Sequence, residues 1–287
     1  MSPQPSNSTD PERDTADAGA EIASGERFEF GANWQRFLAD LSDERIRAAE
    51  ASLRDWLGGD LAGQRFLDIG SGSGLFSLAA VNLGATVHSF DFDPASVACT
   101  RTLKQRYHPD SERWRIEQGS ALDQTFLAGL GEADVVYSWG VLHHTGAMHR
   151  AMHNAVARVK PGGRLFIAIY NDQGWISRYW TGVKRLYNRG GAARAAMIAL
   201  HTPYLFAARW ALRIVTGRGR LERGMSLWHD MIDWLGGYPF EVASPAAVQR
   251  FMAERGAALL RCKDCGRRMG CNEFLFEVDK RADSGPP

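Results

Sequence analysis

The sequence predicts a doubly wound α/β fold on a mostly parallel seven-stranded sheet. Three observations carry that expectation. An apolar strand, Arg65-Phe-Leu-Asp-Ile69, runs into a glycine turn at Gly70, Gly72 and Gly74 and then into a helix. A second strand, Ala85–Asp91, ends in an acid 23 positions after Asp68. From Phe66 to Tyr170 strand-like and helix-like runs alternate, which argues for parallel strands with helices on both faces.

Residues 1–24 are rich in Ser, Pro, Asp and Ala and hold almost no large apolar side chains, so they are expected to form a disordered tail. Residues 25–60 are different. Phe28, Phe30, Trp34, Phe37, Leu38 and Leu41, then Ile46, Ala49, Leu53, Trp56 and Leu57, recur at roughly helical spacing. They predict N-terminal cap helices that lie over a ligand or pack on the sheet. The core is expected over 61–171 and 242–281, with an inserted helical segment at 172–241.

Within the core, the glycines let the backbone turn sharply and approach a ligand closely. Asp68 closes its strand, where a carboxylate can take hydrogen bonds from an amine or hydroxyl. Glycine spacing alone serves a dinucleotide as well as other adenosyl ligands, and Asp91 can accept from both ribose hydroxyls. Asp68 inside the motif separates the two cases, because it would repel a pyrophosphate and attract a cationic ligand with a free amino group.

The run Leu67-Asp-Ile-Gly-Ser-Gly-Ser-Gly74 closely resembles motif I of class I S-adenosylmethionine-dependent methyltransferases. The likeness continues through Gln118-Gly-Ser-Ala-Leu-Asp123, Ala133–Gly140, Leu142-His-His144 and Lys160–Ile169, which resemble the loop after strand 3, strand 4, its helix start and the turn into strand 5. It covers about residues 60–171 and implies a Rossmann-like methyltransferase fold that binds S-adenosylmethionine. Asp68, Gly70, Ser71, Gly72 and Gly74 would hold the methionyl part and Asp91 the ribose, with Phe92 next to it also in the cofactor site. Ser120 and Ala121 would meet the adenine, with Trp139 on the same edge. Ser120 stands where the family usually has Asp, which puts a carboxylate bond to the adenine amino group in question.

Composition bounds the rest. With 287 residues, 45% hydrophobic, the chain can bury a full core, and a formal net charge of +1 gives no general pull toward nucleic acid. Nothing resembles the Asn/Asp-Pro-Pro-Tyr motif used on nucleic-acid amines, so no nucleic-acid partner is expected. Four cysteines are too few for a disulfide scaffold in a chain this long. The N-terminus shows no apolar signal core and the chain no long uncharged apolar run, so a cytoplasmic protein is expected.

After the fifth strand the family's remaining elements arrive late. Pro245–Arg255 reads as a helix capped by Ser244 and stopped at Gly256, followed by strands at 258–262 and 273–278. The segment between is basic, with ten Lys or Arg from Arg178 to Arg223 against one acid, Glu222. It leaves the sheet where an acceptor would sit, which predicts a lid or substrate-binding subdomain over a small-molecule acceptor; its apolar stretch Ala195–Val215, flanked by positive charge, could also cover an anionic substrate. The same surface admits peripheral contact with a membrane, a homodimer face, or a helical hairpin broken near Pro203 with solvated charges.

Methyl transfer to a hydroxyl needs a base, and histidine is the common one near neutral pH. His143 and His144 follow strand 4 at the ligand edge; adjacent residues do not both face one way, and His143 is slightly preferred. His229, beside Asp230 and Asp233, is a second base candidate, and Tyr170 a donor to an acceptor oxygen. His149 and His153 share a helix face without a third ligand, and Cys262, Cys265 and Cys271 lack a fourth, so no metal is expected. O-methylation of a phenol- or quinol-like hydroxyl is the first expectation, from the likeness to polyprenyl benzoquinol methyltransferases. S-methylation of a small thiol and a non-catalytic cofactor-binding role are the alternatives.

Overall fold

The structure is a computed structural model that describes residues 20, 21, 24, 26–28, 34, 38, 41–216, 234–266, 268 and 270–279. In chain order these give α1 (Asp43–Leu57), β1 (Arg65–Ile69), α2 (Leu75–Asn82), β2 (Thr86–Asp91), α3 (Pro94–Tyr107), β3 (Trp114–Gln118), α4 (Gln124–Leu130) and β4 (Ala133–Trp139). A 3-10 turn at Leu142–His144 leads to α5 (Met148–Ala157), β5 (Val159–Tyr170), α6 (Trp175–Asn188), α7 (Gly191–Thr216), α8 (Pro245–Ala253), β6 (Ala257–Lys263) and β7 (Cys271–Val278).

The strands form one seven-stranded sheet in the order β3-β2-β1-β4-β5-β7-β6. All pairings are parallel except those of β7 with β5 and β6. The chain reverses its direction of travel between β1 and β4, the switch point where ligands bind in open α/β sheets. Two apolar layers sandwich the sheet. One comes from α1, α2 and α3, with Leu53, Leu78, Ala79, Ala80 and Leu103 fully buried, and the other from α4, α5 and α8, with Leu127, Met152 and Met252.

Local sequence explains the element ends. Asp93 accepts a bond from the Ala95 N–H at 2.8 Å and Pro94 presets the first turn of α3. Asp123 caps α4 through the Phe126 N–H at 2.9 Å. Ser244 caps α8 ahead of Pro245, and Gly256 follows it at φ 71°, as the sequence predicts. Two boundaries differ from expectation. Lys160–Gly163 is absorbed into β5 as an irregularity in its pairing with β4, because Gly162 at φ 74° lets the strand step without breaking. Among the described residues the insertion after β5 forms two long helices, and α7 runs through Pro203 instead of breaking there.

Of the expected tail, residues 1–19 lie outside the described residues. Glu21, also within it, accepts backbone bonds from Glu26 and Arg27 and pairs with the Arg27 side chain at 2.6 Å.

Candidate active site

The glycine turn joins β1 to α2 and is tied to β2. Gly70 and Ser71 donate to the Phe90 carbonyl at 2.9 and 3.1 Å, and Gly72 donates to Asp91 Oδ2 at 2.9 Å. Gly70, Gly72 and Gly74 all have positive φ. At Gly70 a Cβ would also meet Val141 at 2.4 Å, so the turn and the loop after β4 approach as closely as only glycine permits.

Asp68 is buried, and it ends a directed chain of hydrogen bonds. Trp114 Nε1 donates to Ser89 Oγ at 2.9 Å, and Ser89 and Ser77 meet at 2.6 Å. Ser77 Oγ donates to Asp68 Oδ2, so Ser89 must supply the proton between the two serines. Burial pushes the Asp68 carboxyl up to about 7; the Ser77 bond lowers it and the charge of Asp91 raises it further. Burial likewise pushes Asp91 up to about 6, against bonds from the Gly72 and Asp93 N–H groups. Two neighbouring carboxyls thus hold charge that the protein compensates poorly, which suits a ligand bringing an ammonium and hydroxyl donors.

Phe92 follows Asp91 with the Arg27 guanidinium 4.6 Å above its ring. Ser120 Oγ accepts from the Leu122 N–H at 3.1 Å, and the buried Ala121 gives its carbonyl to Asn154 Nδ2 at 2.9 Å. Trp139, half-buried, ends β4. These residues share the carboxyl edge of the strands with Asp68 and Asp91.

The acceptor candidates gather beside them. The rings of His143 and Tyr170 lie 4.1 Å apart and those of His143 and His144 4.5 Å apart. His143 turns Nδ1 to the backbone of β5, with the Tyr170 N–H at 3.4 Å, and its buried Nε2 has no partner among the described residues. His144 Nδ1 meets the Pro239 carbonyl at 2.6 Å. A carbonyl only accepts, so the His144 proton sits on Nδ1 and the lone pair on Nε2. Burial holds His144 down to about 3, opposed by the Pro239 bond and reinforced by the charges of Lys184 and Arg27. His143 is held well below the usual histidine range by burial, then by His144 and Lys184. Both imidazoles are therefore neutral at physiological pH. His229, Asp230 and Asp233 lie outside the described residues.

Several residues at this site carry no motif. Lys184 is fully buried in α6, donates to the Trp234 carbonyl, and sits 4.4 Å from the Trp234 ring and 4.7 Å from Phe240. Arg27 donates to the His144 carbonyl at 3.0 Å, and Phe28 N–H to Tyr238 O at 3.0 Å, so the N-terminal segment is clamped across the edge. Trp34 closes over the turn, where a Cβ on Gly72 would sit 3.0 Å from its ring. Glu241 caps α5 through the Met148 N–H and donates its own N–H to the His143 carbonyl. A signal for some of these exists: Lys184 falls four residues after Trp180 and three before Tyr187, on the helix's buried face, and Ser77 is a lone hydroxyl within the apolar run Leu75–Val81.

Among the described residues no cluster of His, Cys, Asp and Glu could hold a metal ion. Cys271 opens β7 opposite Tyr170, which brings the β6–β7 turn to the same rim. Two cavities, of about 230 and 550 Å³, share Arg65, His88, Arg115 and Leu130; the smaller opens on the amino ends of β1, β2 and β4 at Arg65, Thr86 and Ala133, away from the candidate site.

Known proteins resemble the chain over its strand–helix core. Residues 67–165 match the family described as a methyltransferase domain. The chain is 33% identical over 114 residues to a ubiquinone biosynthesis O-methyltransferase of Xanthomonas oryzae pv. oryzae, covering 39% of this chain and 45% of that one. It is 30% identical over 118 residues to an Escherichia coli protein of the same description, covering 40% and 47%. The matches thus span less than half the length of these relatives. Magnesium protoporphyrin IX methyltransferase from Synechocystis, solved with bound SAH, superposes with a TM-score of 0.55 at 14% identity, covering 91% of this chain and 100% of that one. An O-methyltransferase family protein from Burkholderia thailandensis gives 0.53 at 17% identity, covering 92% and 68%. These likenesses establish the fold.

Proposed function

We propose, from the premise that the chain carries a class I S-adenosylmethionine-dependent methyltransferase domain, that it transfers a methyl group to a small molecule bearing an acidic hydroxyl, phenol- or quinol-like. The observation that carries the choice of acceptor is electrostatic. Lys184 and Arg27 bring positive charge to the edge where His143, His144 and Tyr170 gather. That field repels an ammonium and stabilises an oxyanion as it forms.

The residues suit the cofactor. Asp68 and Asp91 are buried or half-buried carboxyls short of compensating charge, and the glycines leave the backbone bare beside them. Asp68 would take the cofactor's ammonium and Asp91 its ribose hydroxyls, with Phe92, Ser120, Ala121 and Trp139 along the adenine side. S-adenosylmethionine supplies an electrophilic methyl on a sulfonium. Arg27 and Trp34 exclude water from the edge, which matters for an in-line displacement. His144 Nε2, bearing the lone pair, accepts the acceptor's proton, and His143 Nε2 and the Tyr170 hydroxyl hydrogen-bond its oxygen. An imidazole held near pH 3 is a weak base, so the acceptor's own acidity and the nearby cations must carry much of the deprotonation. This assigns the base role to His144 over His143, on the tautomer that Pro239 enforces. A small membrane-derived ring, as the likeness to the ubiquinone enzymes suggests, fits the aromatic surroundings of Trp180, Trp234 and Phe240.

The test is methyl transfer from labelled S-adenosylmethionine to phenols and quinols of graded acidity, with thiols, sugars and amines alongside. Turnover that rises with hydroxyl acidity is the expected result. Turnover confined to thiols or amines would refute the hydroxyl assignment, and tight cofactor binding without any product would refute catalysis on small molecules.

A further inference from the structure

We propose that the outer face of α6 and α7 docks on an anionic lipid bilayer. The buried side of α6 presents Trp180, Val183, Lys184 and Tyr187 to the candidate site. Its outer side is divided lengthwise. Trp175, Tyr179 and Leu186 recur at helical spacing and fall within a sector of about 40°, with 70%, 48% and 40% of their surfaces exposed. Leu200 of α7 is 66% exposed. Arg178, Arg185 and Arg189 are also exposed and form a parallel row on the side away from the buried face, and Arg194 on α7 is exposed too. From Gln173 to Leu221 the sequence holds no Asp or Glu.

Charge decides the occupant. An apolar stripe with Trp and Tyr beside a row of arginines, in a segment without acids and with Arg185 also donating to the Tyr238 hydroxyl, is complementary to acyl chains below a layer of phosphates. Tyr179 is already fixed: its hydroxyl donates to His201 Nε2 at 2.7 Å, because His201 Nδ1 is spent on the Met197 carbonyl. An aromatic held in place loses little freedom on docking. Among the described residues no helix is long and apolar enough to cross a membrane, so the contact is with the surface. Trp175 follows Tyr170 by five residues. A face docked there brings the candidate site to the bilayer surface, where a lipid-soluble acceptor partitions.

The test is co-sedimentation of the full chain with vesicles of phosphatidylcholine alone and of phosphatidylcholine with phosphatidylglycerol. Sedimentation needs no turnover, so its failure would leave the methyl-transfer reading untouched. Binding is expected only with phosphatidylglycerol and weaker in high salt. Arg178→Glu/Arg189→Glu and, separately, Trp175→Ser/Leu200→Ser should each lower partition at least tenfold while melting like the parent, since these side chains are exposed. Folded protein that ignores both vesicles, or binding that survives both double variants, would overturn the proposal. So would a concentration-dependent dimer in light scattering that both variants dissociate, because the face would then belong to a second copy.

Discussion

Replacing Asp68 with Asn separates what this carboxyl costs the fold from what it gives a ligand. Its pKa is 3.8 in an unfolded chain and about 7 when buried here. Between those values the folded chain keeps a proton that the unfolded chain has shed. Stability therefore falls as pH rises from about 4 to 7, by on the order of 4 kcal/mol when the change is complete. Asparagine has nearly the same shape, still accepts the Ser77 hydroxyl, and never ionises. Urea melts should show Asp68→Asn more stable than the parent, by about 2 kcal/mol at pH 5 and about 4 kcal/mol at pH 8. Titration with S-adenosylhomocysteine should show the opposite ranking: weaker binding by the variant at pH 8. The parent's affinity should fall about tenfold for each pH unit below 7, as the ionised fraction of Asp68 shrinks, and the variant's should stay flat. A stability gap that does not widen with pH, or a variant less stable at pH 8, would refute this account of the buried carboxyl.

Asp91→Ala should weaken S-adenosylhomocysteine binding by about 1–3 kcal/mol, by calorimetry, because it strands the Gly72 N–H and removes the ribose acceptor; unchanged affinity would remove Asp91 from the site. His144→Gln should lower kcat at least tenfold and more than His143→Gln, with cofactor affinity within about twofold of the parent in both, read by single-turnover transfer; the reverse ranking would restore His143 as the base. With both histidines depressed, the pH profile of kcat should show no acid limb near 6.5. Gly236→Ala puts a methyl 2.1 Å from the Phe28 ring and should cost about 1–3 kcal/mol in thermal melts while loosening the N-terminal clamp.

Motif and periodicity made the sheet readable because its constraints are local. Gly70, Gly72 and Gly74 are needed where the backbone turns, and Asp68 and Asp91 close strands that alternate with helices. The same logic located His143, His144 and Tyr170 on one edge. Arg27 was not legible, because it reaches the His144 carbonyl across 117 residues from a segment whose own composition says little. Lys184 was hidden for another reason. A lysine among aromatics reads as a solvated charge until the fold turns that face of α6 inward. The choice between the two histidines depended on the Pro239 carbonyl, 95 residues away from the ring it fixes.

The hydrogen-bond chain from Trp114 to Asp68 gives the protein a built-in optical and magnetic reporter. Every donor in it points toward the carboxylate, so loss of the Asp68 proton strengthens each bond back to the indole. Trp114 is fully buried, and its N–H donates to Ser89 Oγ as the first link of this chain. The indole ¹⁵N–H resonance of that single tryptophan should therefore move with Asp68 ionisation and again when the cofactor's ammonium arrives, letting occupancy be followed from inside the core without a label on the ligand.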